Sequence, residues 1–247
     1  MESVLDRVIK QNTENINLLK TKDYNIFSVL QIQSKEVLIC RMIADLLNPR
    51  GQHGAGAEYL KIFLRDCLGM EKMDTKLADQ AIVTAEYAID DERRIDIVIE
   101  IGSYFLPIEV KIYAADQKSQ CFDYYQYAKR RDAQAKVYYL TLDGHRPGKD
   151  STSSGSQSVP EEDIVCLSFR EHILNWLKAC KSCENTGMVP ILEQFIQNIE
   201  QISGYISEKV RNMVIDELLK SGDSLRAGMQ IADSINAAKA KLIYLVF

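Results

Sequence analysis

The chain has no apolar run long enough to cross a bilayer, and its first residues, with Glu2, Asp6 and Arg7 among them, lack the apolar stretch of a secretory signal. These absences point away from membrane and secreted proteins, and a cytoplasmic setting is expected. An excess of positive charge is also missing. The formal net charge is −5, so attraction to a polyanion has to come from local patches such as Arg93-Arg94, Lys129-Arg130-Arg131, or Arg146 with Lys149. A basic triplet at a helix end equally suits the helix dipole. The stretch Arg50-Gly51-Gln52-His53-Gly54-Ala55-Gly56 lacks the Gly-Lys-Ser/Thr ending of a nucleotide-phosphate loop. It reads as a structural turn in which His53 satisfies loop backbone. The six cysteines lack the dense spacing of a disulfide framework, so free thiols are expected. Only Cys180-Lys181-Ser182-Cys183 has metal-ligand spacing, and no second pair completes a zinc site.

What is present is a chain of 247 residues with 46% hydrophobic content, enough for one large core or a core with a helical appendage. Its most informative segment is Arg94 to Ile112. If Gly102-Ser103 forms a tight turn, the flanking strands pair symmetrically about it, Asp96 faces Glu109, and Arg94 faces Lys111. Alternation then puts Ile95, Ile97, Ile99 and Ile101 on one face with Leu106, Ile108, Val110 and Ile112, which is the core face. Asp96, Glu100, Glu109 and Lys111 fall on the other. Directly opposed side chains lie roughly 5 Å apart at Cβ. Two carboxylates that close repel unless one is protonated, solvent screens them, or they share a cation. Spacing alone equally describes the charged outer face of a half-solvated sheet. Pro107, which donates no backbone hydrogen bond, implies a strand start, an edge or a bulge.

Around the hairpin, apolar spacing predicts a helix from Val4 to Lys22, and another over residues 34–47, capped by Ser34 and stopped at Asn48-Pro49, with Val37, Cys40, Ile43 and Leu47 on one side. A helix containing Tyr59 to Leu64 follows, then a strand at Ala81–Ala88. After the hairpin come a helix over Ala114–Arg131 and strands at Lys136–Leu142 and Ile164–Phe169. Between those strands, the polar segment from Asp143 to Asp163 reads as a mobile flap. Everything from Arg170 onward looks helical. The final apolar run to Phe247 has no stop signal, so the natural protein is expected to continue.

The order Asp96, gap, Glu109-Val110-Lys111 resembles the PD-(D/E)XK nuclease superfamily, although Ile95 stands where the name has proline. Similar context runs from roughly residue 25 to 176. It includes Ser34-Lys35-Glu36, Leu47-Asn48-Pro49, His53-Gly54-Ala55-Gly56 and the pair Gln120 and Tyr124, and it looks like a bacterial and phage-related branch. The resemblance implies an α/β (α+β) fold like that of restriction endonucleases. This is a mixed, mostly antiparallel sheet of four or five strands flanked by helices, with a nuclease-like core over residues 1–183 and a helical extension over 184–247. It implies a hydrolase, an endonuclease cutting phosphodiester bonds in nucleic acid, with DNA the expected substrate. Asp96, Glu109 and the Val110 carbonyl would hold Mg²⁺, with Mn²⁺ as a substitute. Lys111 would orient the attacking water, Glu36 would approach the metal site, and Gln120, supported by Tyr124, would point back towards Lys111 and the phosphate. The alternative is a catalytically silent nuclease-fold module that binds nucleic acid or protein.

Overall fold

In a computed structural model of the chain, the described residues are 24–71, 74–183, 187–205 and 208–246. The helix expected from Val4 to Lys22 lies outside them. Two compact units divide the chain, residues 25–205 and residues 1–24 with 206–247. In the first unit the order is α1 (Ile26–Val29), α2 (Glu36–Leu47), α3 (Glu58–Asp66), α4 (Thr75–Ala78), β1 (Ile82–Ala88), β2 (Arg94–Ile101) and β3 (Tyr104–Lys111). Then come α5 (Gln120–Arg131), β4 (Val137–Thr141), α6 (Lys149–Thr152), β5 (Ser153–Ser154), β6 (Gln157–Ser158), β7 (Ile164–Ser168), α7 (Leu174–Lys181) and α8 (Val189–Ile202). The second unit contains α9 (Glu208–Leu219) and α10 (Gly222–Val246), which approach closely where Gly228 meets Leu218. No described helix is long and apolar enough to cross a membrane.

The five-stranded sheet has the order β1-β2-β3-β4-β7. It is less antiparallel than expected: β1–β2 and β2–β3 pair antiparallel, whereas β3–β4 and β4–β7 are parallel. The parallel β3–β4 step needs a crossover, and α5 supplies it. The hairpin register is as expected, with Ile101 opposite Tyr104 and Ile97 opposite Ile108, and Gly102 takes a positive φ of 57° in the turn. Pro107 marks neither a strand start nor an edge. It lies within β3 opposite Val98, and the ladder to β4 begins only at Ile108, so the missing amide hydrogen interrupts neither pairing.

One expectation about faces fails at a single point. Ile97, Ile99 and Ile101 join the main core with Leu106, Ile108, Val110 and Ile112, but Ile95 belongs to a second core on the opposite side of the sheet. The switch coincides with a gap in the β1–β2 ladder: Ala85 pairs with Ile97 and Tyr87 with Ile95, while Glu86 and Asp96 between them are unpaired. Glu86 has a φ of 53°, in the left-handed region that a residue with a Cβ rarely adopts. Both strands therefore turn over together without changing register, and Asp96 sits at the joint.

The main core packs α2, α3, α7 and α8 on one side of the sheet, with Leu47, Tyr59, Phe63, Trp176 and Phe195 almost wholly buried. Burying each such side chain stabilises the fold by roughly 1.5–3 kcal/mol before conformational entropy is counted. Trp176 satisfies its indole N–H on the Tyr59 carbonyl at 2.8 Å. The second core packs α5 on the other side through Cys121, Phe122, Tyr124 and Ala128. His53 behaves as expected of a loop histidine: Nε2 meets the Asn48 carbonyl at 2.9 Å, Nδ1 accepts from the Ala55 N–H at 3.0 Å, and the ring stacks on Tyr59.

Several local boundaries differ from expectation. Helix α2 begins at Glu36 with Lys35 at the N-cap, and Ser34 makes no cap; Val37 is exposed, and Ile39 and Leu46 are buried instead. Helix α5 begins at Gln120, not Ala114, because Ser119 takes a φ of 56° and breaks the helical path before it. The segment from Asp143 to Asp163 is tied down and is no free flap. It carries α6 and the β5–β6 hairpin, and Ser151 is fully buried with its hydroxyl accepting from the Cys121 N–H. The Asp116 carboxylate holds it as well, accepting from the Gly148 N–H and the Tyr139 hydroxyl, each at 2.7 Å.

Candidate active site

Five of the six residues singled out from the sequence gather where β2 and β3 separate. Beyond Ile97 and Ile108 the antiparallel ladder stops, so Asp96 and Glu109 are not backbone partners. The Asp96 carboxylate enters the gap and accepts the Val110 N–H at 2.8 Å. Glu109 and Lys111 are buried, and the Lys111 ammonium donates to Glu109 Oε1 at 2.5 Å. Glu36, in the first turn of α2, reaches across to accept the Ile112 N–H at 2.8 Å, which fixes the helix start to the end of β3. The carboxyl groups of Asp96 and Glu109 are near enough for the Asp96 charge to act on Glu109. These two acids are therefore on one site, as the register implied, although the sheet turns over beside them.

The electrostatics follow from that crowding. Burial and the neighbouring Asp96 charge hold the Glu109 carboxyl well above the usual carboxylate range. Burial also raises Asp96, partly offset by the Val110 N–H and the Lys111 charge. For Lys111, burial alone would favour the neutral amine, but the charges of Glu109, Asp96 and Glu36 outweigh it and hold the ammonium above its ordinary value. Lys111 thus stays charged inside the protein.

Gln120 departs from its expected direction. Its carbonyl oxygen accepts from the Gln117 N–H at 3.4 Å and its amide nitrogen donates to the Tyr124 hydroxyl at 3.1 Å. Tyr124 donates in turn to the Arg94 carbonyl at 2.5 Å. Tyr124 does support Gln120, but the nitrogen end of that amide braces α5 against β2 through Tyr124, and the oxygen end holds the segment leading into α5. Sequence reasoning missed Cys40 as a neighbour of the site and read Arg93 only as part of a basic patch. Cys40, one helical turn after Glu36, has a buried thiol pushed up by burial and by the charges of Asp96, Glu36 and Glu109, and the four-residue spacing on α2 was the signal for it. Arg93 donates to Asp123, to the Gln117 side chain and to the Lys118 carbonyl, clamping the loop that leads into α5.

The donor set suits a hard cation in a specific way. Glu109 Oε2 is buried without any hydrogen-bond partner, beside a second carboxylate that repels it. An orphaned acceptor of that kind is what a divalent ion satisfies. Among the described residues no three His, Cys, Asp or Glu side chains are grouped to hold a metal ion. The thiols of Cys180 and Cys183 are both raised by burial. The pairing of Asp96 and Glu109 is compatible with Mg²⁺, which is commonly bound through one or two carboxylates plus water.

No curated protein and no solved structure matches the chain significantly. A family model for the PD-(D/E)XK nuclease superfamily does match, over residues 24–207. That span takes in the whole mixed sheet and its flanking helices, and it contains the acid of β2 and the acid-x-lysine triplet of β3 meeting at one point. On this ground the chain belongs to the PD-(D/E)XK nuclease superfamily, with the fold typical of restriction endonucleases.

Proposed function

We propose that the protein is a metal-dependent nuclease that hydrolyses phosphodiester bonds in DNA. The observation that carries this reading is the unpartnered, buried Glu109 Oε2 beside Asp96 and Lys111. Asp96, Glu109 and the Val110 carbonyl would hold Mg²⁺ or Mn²⁺ through oxygen ligands. When bound, such an ion activates water and offsets charge on the phosphate oxygens. The chain's own residues do the remaining work. Lys111 carries a desolvated positive charge beside Glu109, where it would offset the negative charge that builds up on the phosphate oxygens. Lysine suits this task better than arginine because it is a compact point charge with rotatable donors. Glu36 fixes the end of β3 through the Ile112 N–H, and in doing so holds Lys111 in place from the residue beyond it. Gln120 acts through Tyr124 on the start of β2 and so positions Asp96 from two residues away. The setting proposed is the cytoplasm of a bacterium or its phage, on the order of sequence motifs alone.

The test incubates purified protein with plasmid, single-stranded DNA and RNA in the presence of Mg²⁺, Mn²⁺ or EDTA, beside Asp96→Ala and Lys111→Ala. Cleavage that needs the ion and disappears in both variants supports the reading. Equal degradation by parent and variants means that the activity is a contaminant and the assignment fails.

A further inference from the structure

We infer that Arg94 is a phosphate-binding residue, one that grips the substrate backbone a short step from the bond being cut. The inference rests on the nuclease reading above and extends it to how nucleic acid is held.

Arg94 opens β2, two residues before Asp96. Its backbone is fixed on both sides, paired with Ala88 in β1 and accepting the Tyr124 hydroxyl at 2.5 Å. Its side chain is exposed, and among the described residues it has neither a hydrogen bond nor an ion pair. The surrounding arginines are all engaged: Arg41 with Glu86, Arg93 with Asp123, and Arg131 with Glu100. A guanidinium left free on a rigid strand, two residues before Asp96, is directed at something outside the protein. Ile95 points into the second core, so alternation sends Arg94 to the opposite side of the strand, away from α5. Two residues of strand advance the chain by roughly 6–7 Å. Phosphates on one strand recur about every 3.4 Å of helix axis. A residue displaced that far along the strand from Asp96 is in reach of a phosphate about two nucleotides from the scissile position. Guanidinium matches phosphate oxygens with paired donors, and the contact carries no base information. With a formal charge of −5 on the whole chain, local cations of this kind have to supply the grip.

The experiment measures cleavage kinetics and, in Ca²⁺, the binding of a fluorescently labelled DNA oligonucleotide across a salt series, for the parent, Arg94→Ala, Arg94→Lys and Lys76→Ala. Lys76 sits beside Leu77, which approaches Gly102 at the far end of the hairpin, so its loss controls for net charge. Arg94→Ala is expected to weaken binding about 10- to 100-fold and to reduce the slope of log K against log salt by about one. KM should rise while kcat changes by less than about 3-fold, since the contact is the same in ground and transition states. Arg94→Lys should recover part of the affinity and all of the salt slope, and Lys76→Ala should match the parent. Melting temperature should be unchanged in Arg94→Ala, because the side chain has no partner to lose. Affinity and slope in Arg94→Ala equal to those of Lys76→Ala would overturn the inference while leaving the nuclease reading intact. A loss confined to kcat would overturn it too. A parent protein that neither binds nor cuts nucleic acid would refute the nuclease reading, and this inference with it.

Discussion

Asp96 and Val110 are joined across the parting of β2 and β3, with the carboxylate oxygen accepting the amide hydrogen at 2.8 Å. A strand would normally satisfy that N–H with a backbone carbonyl. Here a side chain does so, and it is thereby held in one rotamer before any ligand arrives.

Replacing Asp96 should accordingly affect two properties at once. Asp96→Asn keeps an oxygen acceptor for Val110 and is expected to fold normally while losing more than about 100-fold in cleavage rate. Asp96→Ala should lose the same activity and also about 1–3 kcal/mol of stability, because the Val110 N–H is left unpaired. Denaturant melts beside cleavage assays separate the two effects, and equal stability of both variants would show that the bond is dispensable.

The crowded acids set the direction of the pH response. Glu109 has a folded-state pKa held well above its ordinary 4.5, first by burial and then by Asp96, and Asp96 is also raised. The native state therefore binds protons that the unfolded state has released, and the metal-free protein should lose stability as pH climbs from about 4.5 through the raised folded-state values. A bound cation displaces that proton. Thermal melts with EDTA and with Mg²⁺ should accordingly diverge with rising pH, the stabilisation by Mg²⁺ being small near pH 5 and larger near pH 8. A stabilisation that shrinks over that range would contradict the site.

Glu36 offers a separation of charge from geometry. Glu36→Gln retains an acceptor for the Ile112 N–H and should keep native stability, whereas Glu36→Ala should lose roughly 1–2 kcal/mol. If the negative charge matters to the ion, Glu36→Gln should weaken Mn²⁺ binding measured by calorimetry. If only the tether matters, affinity should match the parent.

Tyr124→Phe removes the donor to the Arg94 carbonyl and the partner of the Gln120 amide. It should cost about 1–3 kcal/mol and lower the cleavage rate by less than Asp96→Asn does, with Mn²⁺ affinity preserved. A rate loss as deep as that of Asp96→Asn would place Tyr124 at the reacting atoms instead.

Asp116→Ala frees Gly148 and Tyr139 together. Hydrogen exchange should increase between residues 143 and 163 and stay unchanged in β1 and β2. Unchanged exchange in that segment would mean that its other anchors, the buried Ser151 and the bonds from Ser119 to Asp150 and Ser153, hold it without Asp116.

How far the fold and site were legible can be read from individual residues. The β2–β3 register followed from Gly102-Ser103 because a two-residue loop leaves little freedom. The convergence of Asp96, Glu109 and Lys111 was suggested by that register together with the resemblance to the nuclease pattern, although the ladder stops at Ile97 and Ile108, short of the expected Asp96–Glu109 and Arg94–Lys111 pairs. The turnover at Asp96 was not legible: it depends on a left-handed Glu86, a conformation for which glutamate carries no local signal, and on the second core that α5 offers to Ile95. The segment Asp143–Asp163 was misread for a related reason. Serine, glycine and proline look alike in a loose loop and in one stitched down, and the stitch is Asp116, almost thirty residues before the loop and of no distinctive sequence context. Gln120 and Tyr124 were correctly paired by their four-residue spacing, but the third member of that chain of bonds is a backbone carbonyl, which no residue pattern announces.

Strand β3 has an antiparallel neighbour on one side and a parallel neighbour on the other. Its first partnership needs only a hairpin between adjacent residues, while the second must wait for a long crossover to close. The two site acids belong to the quick half of that assembly. The catalytic cleft is thus expected to be sketched early in the life of the polypeptide, and the slower arrival of β4 and α5 would seal it against solvent.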